Sequence, residues 1–127
     1  MRAVLPPRWW PPVLWMGLIL VMTSWPKLDL RVLATSGDKV AHFSAYLVLS
    51  LLSARAAFPS RRPWRTAVAI VAMVAVLALL DELHQAWIPG RFPEVFDWIA
   101  DIGGAIVGML LAPLFFQPAP RRPRSDS

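Results

Sequence analysis

Three short blocks hold most of the side chains that could do chemistry. The first is Asp38-Lys39-Val40-Ala41-His42-Phe43-Ser44-Ala45-Tyr46. Asp38, His42 and Tyr46 recur every four residues, so a helix would align them on one face. The second is Asp81-Glu82-Leu83-His84-Gln85, where Asp81 and Gln85 share a face and Glu82 lies beside it. The third places Asp97, Asp101, Gly104 and Gly108 at spacings of four, three and four, again one helical face. An imidazole beside a carboxylate can act as a general acid/base pair. His42 with Asp81, Glu82 and Asp97 is therefore the catalytic set if the chain is an enzyme. Asp38, Lys39, Tyr46, Gln85, Arg91 and Asp101 are the candidate ligand-binding residues. Lys39 and Arg91 supply the charge to hold phosphate or carboxylate.

Each residue also has a plainer reading. Asp38 or Ser36 can cap a helix, and Lys39 can be a solvated end. His42 can hydrogen-bond between helices. Asp81 can pair with Arg91, His84 falls off the acidic face, and Arg55 can snorkel to an interface. Gly104 and Gly108, four apart, let another helix approach closely. Histidine and carboxylates suit zinc, manganese or calcium. No His-Glu-x-x-His or His-x-His pairing occurs, so no metal ligand is assigned and the sequence names no cofactor. With no cysteine there is no thiolate site or disulfide, and Ser44, the hydroxyl nearest His42, points off its face.

The elements that must position these residues are apolar. Of 127 residues 57% are hydrophobic and 17% charged, with a mean hydropathy of +0.51. Soluble domains carry about 25% charge, and disordered chains are poor in apolar residues. Both classes are excluded, leaving a small integral membrane protein. Four apolar stretches cover residues 9–25, 40–58, 66–88 and 95–116. Each approaches the ~20 residues that span ~30 Å of hydrocarbon as a helix. None alternates with period two, so strands are disfavoured. The expected fold is all-α and polytopic, with four transmembrane helices in one domain over 1–116. Residues 117–127 form a basic, Pro-rich tail, expected to be disordered.

The connectors at 26–29, 35–38, 59–63 and 89–93 carry Pro, Gly, Ser and Asp. Pro11 and Pro12 shorten the first helix at its start. Val32-Leu33-Ala34 is too far from the first apolar run to be its signal-peptide cleavage site.

Net charge is +5, with eleven Arg and two Lys. Most flank the apolar runs, so they read as topology signals and lipid contacts rather than a nucleic-acid surface. Placing the N-terminus inside gives nine basic residues to the cytoplasm: Arg2, Arg8, Arg55, Arg61, Arg62, Arg65, Arg121, Arg122 and Arg124. Four remain outside: Lys27, Arg31, Lys39 and Arg91. Both termini are then cytoplasmic in the bacterial inner membrane. Trp25, Trp87 and Trp98 fall at the outer interface and Trp9, Trp10 and Trp64 at the inner one. The start of helix two, the end of helix three and the start of helix four all lie outside. Asp38, His42, Asp81, Glu82, Asp97 and Asp101 thus meet at one depth, where ionisable groups usually mark function. Neighbouring carboxylates resist joint ionisation unless a cation intervenes.

At these residues the chain resembles the VanZ-like family of small bacterial membrane proteins. The blocks are Asp38-Lys39-x-x-His42-Phe43-x-x-Tyr46, Asp81-Glu82-x-x-Gln85-x-x-x-Pro89-Gly90-Arg91 and Asp97-x-x-x-Asp101-x-x-Gly104-x-x-x-Gly108. They follow the family's order and approximate spacing over about 38–108. The family usually has Asn where this chain has Asp101, which adds a negative charge and removes an amide. The namesake is associated with teicoplanin resistance, so the resemblance implies a cell-envelope role linked to glycopeptide resistance.

The reading that unites these features is a protein binding an amphiphile in a polar pocket at the outer face. Such a partner is a membrane lipid head group, a lipid-linked wall precursor or a lipoglycopeptide. The alternatives are a membrane hydrolase or transferase acting on a lipid-linked head group, and a proton- or ion-coupled transporter working as a homo-oligomer. The charge split yields a direct expectation. Reporter fusions at the tail and in the 89–93 loop should give opposite compartment signals, cytoplasmic for the tail. A periplasmic tail signal would refute the orientation.

Overall fold

The computed structural model describes residues 5–25, 34–58, 60 and 63–116, and among these every regular element is helical. A 3-10 turn, Pro7–Trp9, leads into α1, Trp10–Thr23. Then follow α2, Ala34–Ala57; α3, Pro63–Gln85; and α4, Val95–Phe115. The expected 26–29 turn and the 117–127 tail lie outside the described residues.

Three of the four helices are long and apolar enough to cross a membrane: α3, α4 and residues 37–57 of α2. The fourth is shorter than the sequence suggests. At 14 residues α1 rises about 21 Å, because Pro11 and Pro12 confine its start and Thr23 ends it. The second helix begins at Ala34, six residues before its apolar run. Ser36 and Asp38 therefore lie inside it rather than ahead of its first turn. Pro63 starts α3 three residues early, where a missing N–H costs nothing.

The distribution of polarity fits a lipid environment. Among the described residues Asp81, Glu82, Gln85, Asp97, Asp101 and His42 are buried, while Leu14, Val21, Val68, Leu80, Phe96, Leu110 and Leu114 are exposed. A soluble fold shows the reverse. Polar groups inside and apolar groups outside is what lipid demands of a helical bundle.

The tightest contact joins α2 to α4. A Cβ built on Gly104 would collide with the Phe43 carbonyl oxygen and lie 3.0 Å from Leu47 N. One on Gly108 would lie 2.7 Å from Leu47 O and 2.8 Å from Ser50 Oγ. Only glycine permits this approach, and lipid-immersed helices depend on such small-residue packing because no hydrophobic effect draws them together. Ser50 Oγ donates to Ala105 O at 2.8 Å across the same seam. Two tryptophans fasten the neighbours: Trp15 Nε1 donates to Ala45 O at 2.9 Å, and Trp98 Nε1 to Ala75 O at 3.0 Å. Trp98 thus turns inward onto α3, whereas Trp25, Trp64 and Trp87 are exposed.

The α3–α4 connection turns at Pro89-Gly90. Gly90 has φ 79°, and Arg91 N donates to Ile88 O at 3.1 Å. Pro followed by a positive-φ Gly is the signature of a type II turn.

The glycine seam can be tested by a pair of variants. Gly104→Ala should lower thermal stability in detergent by about 1–3 kcal/mol or more, since backbone must move. Gly17→Ala, with open space around it, should be neutral or gain up to about 1 kcal/mol. Equal behaviour of the two would refute the seam.

Candidate functional site

The three sequence blocks meet at one end of the bundle. His42 on α2 is the hub. Its Nδ1 shares a hydrogen bond with Asp101 Oδ1 at 3.0 Å, and its Nε2 lies 3.9 Å from Asp97 Oδ2. One turn earlier, Lys39 Nζ donates to Asp97 Oδ1 at 2.8 Å and to Glu94 Oε2 at 2.9 Å. Glu82 on α3 joins from the other side. Its Oε2 accepts the Glu94 backbone N–H at 3.0 Å, at the start of α4. This anchors a carboxylate where α4 presents unpaired backbone donors.

Asp81 centres a second network one helical turn along α2. It accepts from Thr23 Oγ1 at 2.7 Å, Tyr46 Oη at 3.2 Å and Gln85 Nε2 at 3.4 Å. Tyr46 is fully buried. Asp81 therefore ties α1, α2 and α3 together.

Arg91 does not make the pair with Asp81 that is its plainer reading. Its Nη1 donates to Gln85 Oε1 at 3.0 Å and its Nε to Trp25 O at 3.0 Å. The Pro89-Gly90 turn does bring it back over the helix ends, but it reaches the acids only through the Gln85 amide. Among the described residues, Lys39 is the cation that touches them. Lys39 is thus engaged with protein carboxylates, and Arg91 is the cation left nearer the open side.

Beside these networks lies a cavity of about 310 Å³ between α1 and α2. Leu18, Ile19, Met22, Ala41 and Ala45 give it an apolar wall, and Asp38, His42, Tyr46, Thr23 and Arg91 a polar end. Ser44 and His84 are exposed and stand apart from His42 and the buried acids. Gly104 and Gly108 act in packing, as their spacing suggests.

The chain's match to known proteins follows the same residues. The VanZ/LLP1 family model matches residues 9–116. The chain belongs to the VanZ/LLP1 family. No curated protein and no solved structure matches it. The matched region covers all four helices of this VanZ-family chain, α1 included, beyond the 38–108 span that carries the sequence blocks.

Two residues of this cluster lie outside the three sequence blocks. Thr23 ends α1 after an apolar run, and its depth alone could have suggested it. Glu94 immediately precedes α4, a position where acids favour the helix N-terminus. Two overlapping groups bring one ligand atom per residue within 4.8 Å of one another: Asp38, His42 and Asp97, and His42, Glu82 and Asp101.

The Asp81 network generates a graded expectation. Asp81→Ala strands the Tyr46 and Gln85 donors, leaves Thr23 only the Leu20 carbonyl, and should cost about 3 kcal/mol, while Thr23→Val should cost about 1 kcal/mol. Thermal unfolding in detergent measures both. An Asp81→Ala loss no larger than that of Thr23→Val would show that the network holds nothing together.

Proposed function

We propose that this VanZ-family protein binds an amphiphile at the outer face of the bacterial inner membrane. In this reading α1 is a fourth, short span and both termini are cytoplasmic, as the distribution of basic residues favours. The observation that carries the proposal is the α1–α2 cavity. One wall is hydrocarbon-like and one end is polar and cationic, so a single ligand can lay an acyl or prenyl chain along Leu18, Ile19 and Met22 and direct its head group at Arg91. Arg91 uses Nε and one Nη on Trp25 and Gln85. A guanidinium has five N–H donors, so it retains capacity for a phosphate or carboxylate. Lipid-linked wall precursors, phospholipids and lipoglycopeptides all present such a head group beside a hydrocarbon chain. Sequestering or presenting one of them would link the protein to the cell envelope and to glycopeptide resistance.

His42 favours a second reading, hydrolysis or transfer at the head group. It edges the cavity and its ring is oriented by Asp101, an arrangement suited to general base chemistry.

Binding is tested on protein in nanodiscs, with a polyprenyl pyrophosphate as probe and diacylglycerol as the uncharged control. The pyrophosphate should bind preferentially. Arg91→Ala and the cavity-filling Ala41→Trp should each weaken it by about tenfold, or 1.4 kcal/mol. In cells both variants should lose any change in glycopeptide susceptibility that the wild type confers. Equal binding of probe and control, or unchanged binding by both variants, would overturn the proposal. Release of inorganic phosphate from the probe, abolished by His42→Ala, would favour the hydrolase reading.

A further inference from the structure

Glu82 and Asp101 share an unusual condition. Each is fixed through one oxygen and leaves the other unsatisfied. Glu82 Oε2 takes the Glu94 N–H, and Asp101 Oδ1 shares a hydrogen bond with His42 Nδ1. Glu82 Oε1 and Asp101 Oδ2 are buried with no hydrogen-bond partner. The two residues are 5% and 0% exposed. A buried polar atom without a partner costs about 1–3 kcal/mol, more when charged. Native structures rarely leave such atoms without an ion or water to answer them.

The surroundings select the ion. A His42 nitrogen and one oxygen each from Glu82 and Asp101 lie within 4.8 Å of one another. Among the described residues, Lys39 is committed to Glu94 and Asp97. We infer that His42, Glu82 and Asp101 form a binding site for a divalent transition cation of the Zn²⁺ or Mn²⁺ class. One imidazole nitrogen with two carboxylates suits these ions, whereas Ca²⁺ and Mg²⁺ prefer all-oxygen shells. Ligand atoms about 2.1 Å from a metal sit about 3.0–3.4 Å apart, and His42 Nδ1 is already 3.0 Å from Asp101 Oδ1. The cation takes the place of the proton shared by His42 Nδ1 and Asp101, which leaves to solvent. It takes one oxygen from each acid and offsets the local negative charge.

Three protein ligands leave coordination positions open, as in metal sites that also hold water or substrate. His42 lines the α1–α2 cavity, so those positions are reached from it. The site does not depend on the amphiphile reading, and its test uses no lipid. The helices supply its rigidity: Glu82 is pinned to the start of α4, and Asp101 lies three residues from the Gly104 contact with Phe43, the neighbour of His42.

The test uses the full chain, purified in detergent through a histidine-free tag and stripped with chelator. ZnCl₂, MnCl₂, CaCl₂ and MgCl₂ are the probes. Metal content by mass spectrometry should reach about one Zn²⁺ or Mn²⁺ per chain, and Tm should rise with those ions but not with Ca²⁺ or Mg²⁺. Glu82→Gln and Asp101→Asn should each weaken binding about tenfold or more while keeping a cooperative transition without metal. His84→Ala, at an exposed histidine outside the cluster, should bind as wild type. Absence of Zn²⁺ and Mn²⁺ binding, unchanged binding in both acidic variants, or loss only in His84→Ala would overturn the site. If either acidic variant fails to fold, Co²⁺ bound to the wild type decides. Visible bands displaced by one equivalent of Zn²⁺ support the site, and their absence overturns it.

Discussion

The close approach of α2 and α4 at Gly104 and Gly108 is the constraint on which the rest depends. Where the Phe43 and Leu47 backbone lies against bare glycines, the two helix axes cannot slide without collision. Phe43 follows His42 directly, and Asp97 and Asp101 precede Gly104 on the same helical face. The contact that sets the helix spacing therefore also sets the distance from imidazole to carboxylates. Ser50 to Ala105 fixes the register along the seam. A glycine pair that reads simply as packing is thus what makes the His42–Asp101 distance of 3.0 Å a property of the backbone.

That precision is needed because the interior is acidic. Desolvating a carboxylate costs several kcal/mol unless hydrogen bonds and counter-charges answer it. The structure answers most oxygens individually: Asp81 with Thr23, Tyr46 and Gln85, Asp97 with Lys39, Glu82 with a backbone amide of the α4 start. All but Gln85 come from another segment, so the same bonds that offset desolvation also join α1, α2, α3 and the α4 start. Lipid then needs to supply only dispersion contacts to the exposed Leu, Val and Phe of the outer faces. Stability and site are one set of interactions here.

Helical periodicity made the faces legible. Asp38, His42 and Tyr46 share a side because a helix repeats every 3.6 residues, and the same rule placed Asp97, Asp101 and the glycines together. Apolar runs located three long helices to within a few residues at most ends. What periodicity does not carry is the register between helices or the reach of a flexible cation. Arg91 could pair with Asp81 by sequence but bonds an amide and a carbonyl, while Lys39 takes Asp97. Both outcomes turn on a few ångströms of axial offset. Ser36 and Asp38 looked like caps because the apolar run starts at Val40. The polar turn before it is also helical, since nothing between Ala34 and Lys39 breaks a helix more strongly than Gly37 does. Thr23 escaped notice because a lone hydroxyl after an apolar run has no pattern of its own.

The first helix explains why the cavity lies where it does. It is the shortest of the four, and its described polar ties to the rest of the bundle sit at its middle and end, Trp15 to Ala45 and Thr23 to Asp81. Between these two points Leu18, Ile19 and Met22 line the space beside α2 without filling it. No glycine seam draws the helices together there, because Gly17 has open space around it. A bundle held rigidly on its α2–α4 side and pinned at two points on its α1 side leaves room along the second side. Since His42 belongs to α2, it borders both the rigid seam and that room. The geometry that immobilises the imidazole against Asp101 thereby exposes its edge to whatever occupies the cavity, which couples the fixed acids to a space of ligand size.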